Sequence, residues 1–407
     1  MENMEKISNL NKIIIISLYF IIIISTELFY REPLYSISID LINKLNTTLD
    51  NNFFKNFFTY ITLFGSEKVI IPISIIFLFF NPLLYFIYLL FTIIFTIYFL
   101  SILKLIYASN RPYWKENFNF SFLTSFEAGY GNPSKHTLIS IISYLGFWKL
   151  IQKNRFFRKD FGKIINFSLL GIFIFFILCI ILSRLYFGYQ SINQIIFSIL
   201  LGIGLFITFY YMYKFYNKNA EMFFLFIEEN KLSLNIIFSV LYILIIPLHT
   251  IRKDNEELKD FFDKNNIPNS KRLKNESYSG VSIILFLIGS LNGLSYSKNL
   301  MEKNYPNKVY NIMNWHRIKL RHKLIRLLIM IICCFPGLLF LIPSDWPLFV
   351  VLIFKYTLTF PLIGFLVFGP GFYYSFNFIH NEINPDEDTK NITVNDDGMD
   401  VNFSVDD

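Results

Sequence analysis

The sequence predicts an all-α fold, a polytopic transmembrane bundle of about ten helices. Three observations predict it. Of 407 residues, 54% are hydrophobic, 49 are phenylalanine and only 16% are charged, a balance that soluble domains do not show. Several apolar runs reach the roughly 20 residues that a helix needs to cross a bilayer core. Backbone polar groups cannot stay unpaired in lipid, so runs of that length are helical.

Taken in order, the clearest runs are Ile13–Phe29 and Val69–Tyr107, the second long enough for two crossings with a turn at Asn81-Pro82. The predicted spans are 12–30, 67–81, 83–107, 135–152, 164–184, 190–213, 232–250, 278–297, 324–342 and 348–372. The first six form a core within residues 1–213, and residues 214–231 are a polar and aromatic connector. Residues 232–378 carry the additional helices, and 379–407 are an acidic tail without apolar periodicity, expected to be disordered. Met1–Lys12 balances Glu2 and Glu5 against Lys6 and Lys12, so the first apolar run is expected to be an anchor rather than a cleaved leader.

Cys179, Cys333 and Cys334 all fall in apolar runs and are expected to be reduced packing residues; Cys333-Cys334 lacks metal-ligand spacing. A net charge of +7 fits loops flanking a membrane and speaks against nucleic-acid binding. Basic residues cluster between Lys149 and Lys163 and between Lys298 and Arg326, which assigns both loops to the cytosol. Arg252–Lys274 is also basic but falls on the opposite face, against that assignment. Sequons at Asn46, Asn119 and Asn275 are expected in loops of the lumenal or exterior face. The basic segment Arg317–Arg326 is expected to anchor on anionic lipid.

Three short segments fall at one membrane face in this topology. Lys104 and Arg111-Pro112 close the third predicted helix, Gly131-Asn132-Pro133-Ser134-Lys135-His136 opens the fourth, and Ser183-Arg184 closes the fifth, with Gln190 and Gln194 following. Lys104, Arg111 and Arg184 would converge three cations at one mouth, and phosphate suits them because guanidinium binds it bidentately. The turn Pro133-Ser134 adds a hydroxyl and a helix N-terminus, a second device for holding an anion. His136, one step inside that helix, is placed to donate a proton to a leaving group.

The pattern Lys104-x6-Arg111-Pro112, Pro133-Ser134-x-His136, Ser183-Arg184-x5-Gln190-x3-Gln194 resembles the superfamily of type 2 phosphatidic acid phosphatases, glucose-6-phosphatase and vanadium haloperoxidases. Arg111-Pro112-Tyr113-Trp114 and the stretch from Glu127 to Ser134 look most like the glucose-6-phosphatase and sphingosine-phosphate phosphatase branches. The resemblance covers residues 67–213 and leaves the rest unexplained. It implies phosphate binding by Lys104, Arg111, Ser134 and Arg184, with His136 as the acid. In that family a histidine of the third motif attacks phosphorus and a residue four positions later orients it.

This chain departs three times from the pattern: Gln190 stands at the nucleophile position, Gln194 at the orienting position and Lys135 at the usual glycine. Glutamine occurs at the orienting position in the glucose-6-phosphatase-like branch, and Lys135 adds a cation to the phosphate-binding set. A primary amide is a very poor nucleophile, so Gln190 implies hydrolysis lost or much weakened. Of the remaining histidines, His249 falls at the motif face, whereas His316, His322 and His380 fall on the cytosolic side.

The expected partners are a phosphorylated lipid or small phosphoester and membrane lipids; no cofactor or metal is called for. The expected membrane is the endoplasmic reticulum or another endomembrane, with the motif face lumenal or exterior. Two alternatives stay open: a working phosphomonoester phosphatase with an atypical nucleophile, and a non-catalytic scaffold or transport-related protein.

Overall fold

The chain is all-helical. The computed structural model describes residues 2–78, 83–114, 129–153, 162–216, 220–251, 278–304, 320–342 and 346–374, and no strand occurs among them. Seven helices among the described residues are long and apolar enough to span a bilayer, making this a multi-pass membrane protein.

Helix α1 (Glu2–Thr48) is far longer than the span expected at 12–30 and continues through Pro33. Proline removes one ladder bond, but the helix resumes because residues beyond it keep an inward stripe. Ser38, Ile42 and Asn46, spaced by four, are all buried. This corrects the reading of Asn46: its sequon lies in the last turns of a helix with the side chain buried, not in an open loop. The other two sequons lie outside the described residues.

Helix α2 (Asn52–Leu63) is too short to register as a span. It starts where the Asn51 side chain accepts a hydrogen bond from the Phe53 N–H at 3.0 Å, an N-cap that satisfies one orphan donor. Its Phe58 packs on Tyr186 with ring centroids 4.8 Å apart. Helices α3 (Glu67–Leu78), α4 (Leu83–Tyr107), α5 (Lys135–Lys153), α6 (Gly162–Tyr186) and α7 (Ile192–Tyr216) follow close to the expected boundaries. The turn expected at Asn81-Pro82 lies outside the described residues.

Helix α5 is the hub, packed against α3, α4, α6 and α7. It is less apolar than its neighbours because protein surrounds it: Thr137, Ser140 and Ser143 are all buried. Between apolar helices in lipid no hydrophobic force drives association, so close packing and interhelical hydrogen bonds must hold them. An added Cβ at Gly202 of α7 would sit 3.2 Å from the Ile141 side chain of α5, so the two helices approach as closely as a glycine allows. Tyr19 on α1 donates to the Leu200 carbonyl of α7 at 2.8 Å, and Ser38 accepts from the Ile192 N–H at 2.8 Å.

The remaining described helices are α8 (Ala220–Ile243), α9 (Ile245–Ile251), α10 (Ile284–Asn304), α11 (Leu320–Cys333) and α12, which covers 348–371 and alternates α and π turns. Helix α8 begins at Ala220, twelve residues before the span expected at 232. Most of the expected connector is therefore helical, and a polar seam explains why. Lys298 of α10 pairs with Glu228 and, at 3.4 Å, with Glu302; Lys231 donates to Ser295 at 3.3 Å, and Asn235 pairs with Asn292 at 3.4 Å. Intramembrane polar groups find partners across helices in this way. On the opposite side α10 packs tightly on α12, where an added Cβ at Gly289 would lie 2.0 Å from the Pro361 carbonyl oxygen. Tyr98 of α4 donates to the Leu241 carbonyl of α8 at 3.0 Å, tying these helices to the first group.

Cys179 is buried and Cys333 and Cys334 are half-buried, all as free thiols. The basic stretches 154–161, 252–277 and 305–319 and the acidic tail lie outside the described residues.

Candidate functional site

Helix α4 carries Lys104 in its last turn and ends at Tyr107. The next residue, Ala108, adopts φ 40°, a left-handed conformation that side chains rarely take. Such strain costs on the order of 1 kcal/mol, and it turns the chain sharply into Ser109-Asn110-Arg111. The Gly131 N–H donates to the Ser109 carbonyl at 2.9 Å, which sets the second motif against the first.

Arg111 is wholly buried. Its Nε donates to the Gly129 carbonyl at 2.5 Å, Nη1 to the Tyr189 carbonyl at 3.0 Å and Nη2 to the Tyr130 carbonyl at 3.4 Å. One guanidinium thus bridges the second and third motifs through backbone carbonyls, a charge-assisted staple at the centre of the site.

Ser134 is the residue before α5, and its carbonyl accepts the first helical bond from the Leu138 N–H at 3.1 Å. Its hydroxyl lies 2.9 Å from the Thr137 hydroxyl, and its N–H donates to Ser198 of α7 at 2.6 Å. The positive end of the α5 dipole therefore opens beside the three motifs. Lys135, the first residue of α5, is ion-paired with Glu67 at 2.6 Å. Its charge is offset by a carboxylate of α3, which tempers the role expected of it as an added phosphate-binding cation. His136 is half-buried in the first turn of α5, where Gly65 approaches: a Cβ there would lie 3.1 Å from the His136 Cβ.

Arg184 is buried in the last turn of α6. Its guanidinium lies 4.4 Å from the centroid of the Tyr189 ring, and Nη1 donates to the Thr62 hydroxyl of α2 at 3.3 Å. Gly188, at φ 65°, supplies the left-handed turn that ends α6 and reverses the chain. Gln190 follows, buried, with its N–H donating to the Arg184 carbonyl at 3.3 Å. Gln194 then reaches back to cap the start of α7: its Oε1 accepts from the Ser191 N–H at 3.2 Å, while the Ser191 hydroxyl donates to Asn193 Oδ1 at 2.6 Å. Its Nε2 donates to the Asn110 carbonyl at 2.9 Å, so the residue at the orienting position ties the third motif to the first.

Lys104 and Lys135 line one small cleft with Leu100, Ser101, Gly129, Tyr130 and Gly280, the last from the segment leading into α10. The structure thus gathers Lys104, Arg111, Ser134, Lys135, His136, Arg184, Gln190 and Gln194 at adjoining helix ends. Of the other histidines, His249 falls in α9 and His322 in α11, while His316 and His380 lie outside the described residues.

Several contributors were not singled out in the sequence. Thr62 and Ser198 are ordinary hydroxyls at helical positions, and nothing in their local pattern marks them. Glu27 did carry a signal: it is the one acid in the apolar run Ile13–Phe29, and an ionisable side chain in such a run demands a partner. Its carboxylate is wholly buried and accepts from Arg31 and, at 2.9 Å, from the Asn132 side-chain amide beside Ser134.

No curated protein and no solved structure gives a significant match. A family model described as "PAP2 superfamily" matches residues 85–218. That segment, about a third of the chain, holds all three motifs and is similar to the PAP2 superfamily.

Proposed function

We propose that the protein binds a phosphorylated lipid or small phosphomonoester and that its hydrolytic step is lost or much weakened. Gln190 carries this reading. Covalent phosphoryl transfer in the family that the motifs resemble needs an imidazole at this position. The lone pair of a primary amide nitrogen is delocalised into its carbonyl, so it neither attacks phosphorus usefully nor leaves a stable intermediate. Binding depends on other groups. Lys104, Arg111 and Arg184, with the Ser134 hydroxyl and the N-terminus of α5, would hold the phosphate, and His136 would face the ester oxygen. The apolar surroundings favour a lipid phosphate over a soluble one. The reading goes with a core formed by α1–α7, an added helical unit from α8 onward, and an endomembrane such as the endoplasmic reticulum with the motif face lumenal.

Equilibrium binding of radiolabelled dioctanoyl phosphatidate to purified protein in detergent tests it. Wild type should bind, and Arg184→Ala should weaken binding by about 10–100-fold, the effect of losing a charged hydrogen-bonding partner. No wild-type binding, or binding indifferent to Arg184→Ala, would refute it.

A further inference from the structure

Helix α1 lies outside the matched segment, yet it places one carboxylate against the second motif. A carboxylate within a membrane helix is costly and persists only where its oxygens are satisfied. Glu27 has zero exposure. Oε1 accepts from Arg31 Nε at 2.9 Å and from Asn132 Nδ2 at 2.9 Å, and Oε2 accepts from Arg31 Nη2 at 2.5 Å. Neutralising the charge needs only Arg31, one helical turn along. The bond to Asn132 crosses 105 positions of sequence and reaches the residue two before Ser134. Arg31 is itself fixed, its guanidinium 4.9 Å from the centroid of Tyr107 at the end of α4. One acid of α1 thereby holds the turn of the second motif and, through Arg31, touches the helix end that carries the first.

We propose that Glu27 is a positioning residue of the phosphate site, acting through Asn132 to fix the turn that presents Ser134 and the first turn of α5. This rests on the phosphate-binding reading above, and two readouts separate the fates of the two claims. The first is ligand-free hydrogen–deuterium exchange over residues 129–138. Glu27→Ala should raise exchange there about tenfold while α6 and α10 keep wild-type protection. The second is the affinity for dioctanoyl phosphatidate. Glu27→Ala and Asn132→Ala should each weaken it about tenfold, and the double variant should be no weaker than either single one, because both remove the same hydrogen bond. Glu27→Gln keeps an acceptor for Asn132 and should lose less than Glu27→Ala.

Unchanged exchange over 129–138 overturns the proposal, as do additive affinity losses in the double variant. A thermal destabilisation of Glu27→Ala with wild-type affinity in the folded fraction also overturns it, since that marks a structural role alone. Local loosening in a protein whose wild type does not bind phosphatidate would sink the binding reading and leave Glu27 as the determinant of the turn.

Discussion

Gly131→Ala probes how the three motifs are locked together. A Cβ at Gly131 would lie 2.5 Å from Gln194 Nε2, 2.7 Å from Oε1 and 2.9 Å from Cδ, so the Gln194 amide must move. That amide is fully buried and makes two hydrogen bonds, from the Ser191 N–H and to the Asn110 carbonyl. Displacing it leaves buried groups unsatisfied at about 1–3 kcal/mol each, so the substitution should cost roughly 2–5 kcal/mol. In detergent the midpoint of thermal unfolding should fall by about 2–6 °C. The control is the same change in a Gln194→Ala background, where a methyl group fills space the glutamine has vacated. There Gly131→Ala should move the midpoint by no more than about 1 °C from that of Gln194→Ala alone. An equal drop in both backgrounds would refute the role given to the Gln194 amide and point instead to backbone strain at residue 131.

Other outcomes follow from the same contacts. Ala108→Gly should stabilise the end of α4 by about 1 kcal/mol, because φ 40° costs a glycine nothing; a lower unfolding midpoint would contradict the left-handed turn. Glu67→Gln should remove one carboxylate from beside Lys135 and tighten phosphatidate binding about threefold at low salt, an effect that should fade at high salt; weaker binding would contradict the reading of the Glu67 pair as an offset to the Lys135 charge. Gly289→Ala should destabilise by about 1–3 kcal/mol because its Cβ meets backbone, while Gly171→Ala, with nothing within 4 Å, should be neutral or stabilising; equal effects would contradict the close α10–α12 contact.

The all-helical fold was legible because long apolar runs allow only one backbone solution in lipid. What the sequence hid came from the limits of that signal. Helix α2 is half a span long and half-polar, so hydropathy alone passes over it, although Asn51 is a recognisable N-cap. The extension of α1 past Pro33 reads as an interruption locally and is secured by tertiary burial of Ser38, Ile42 and Asn46. The early start of α8 depends on Glu228 and Lys231 meeting α10, which no local pattern reveals. At the site, the motifs named the cations and their order. The carbonyls that engage Arg111 and the carboxylate that engages Lys135 could not be read, since each comes from a different element.

The central claim is a phosphate pocket that lacks its nucleophile. The most direct measurement is phosphate release in detergent by wild type, Gln190→His and His136→Ala, with phosphatidate, sphingosine phosphate, a polyprenyl phosphate and glucose 6-phosphate as substrates. No turnover by wild type, with activity appearing in Gln190→His, is the predicted result. Wild-type turnover that His136→Ala abolishes would show a working site with another nucleophile and contradict the account.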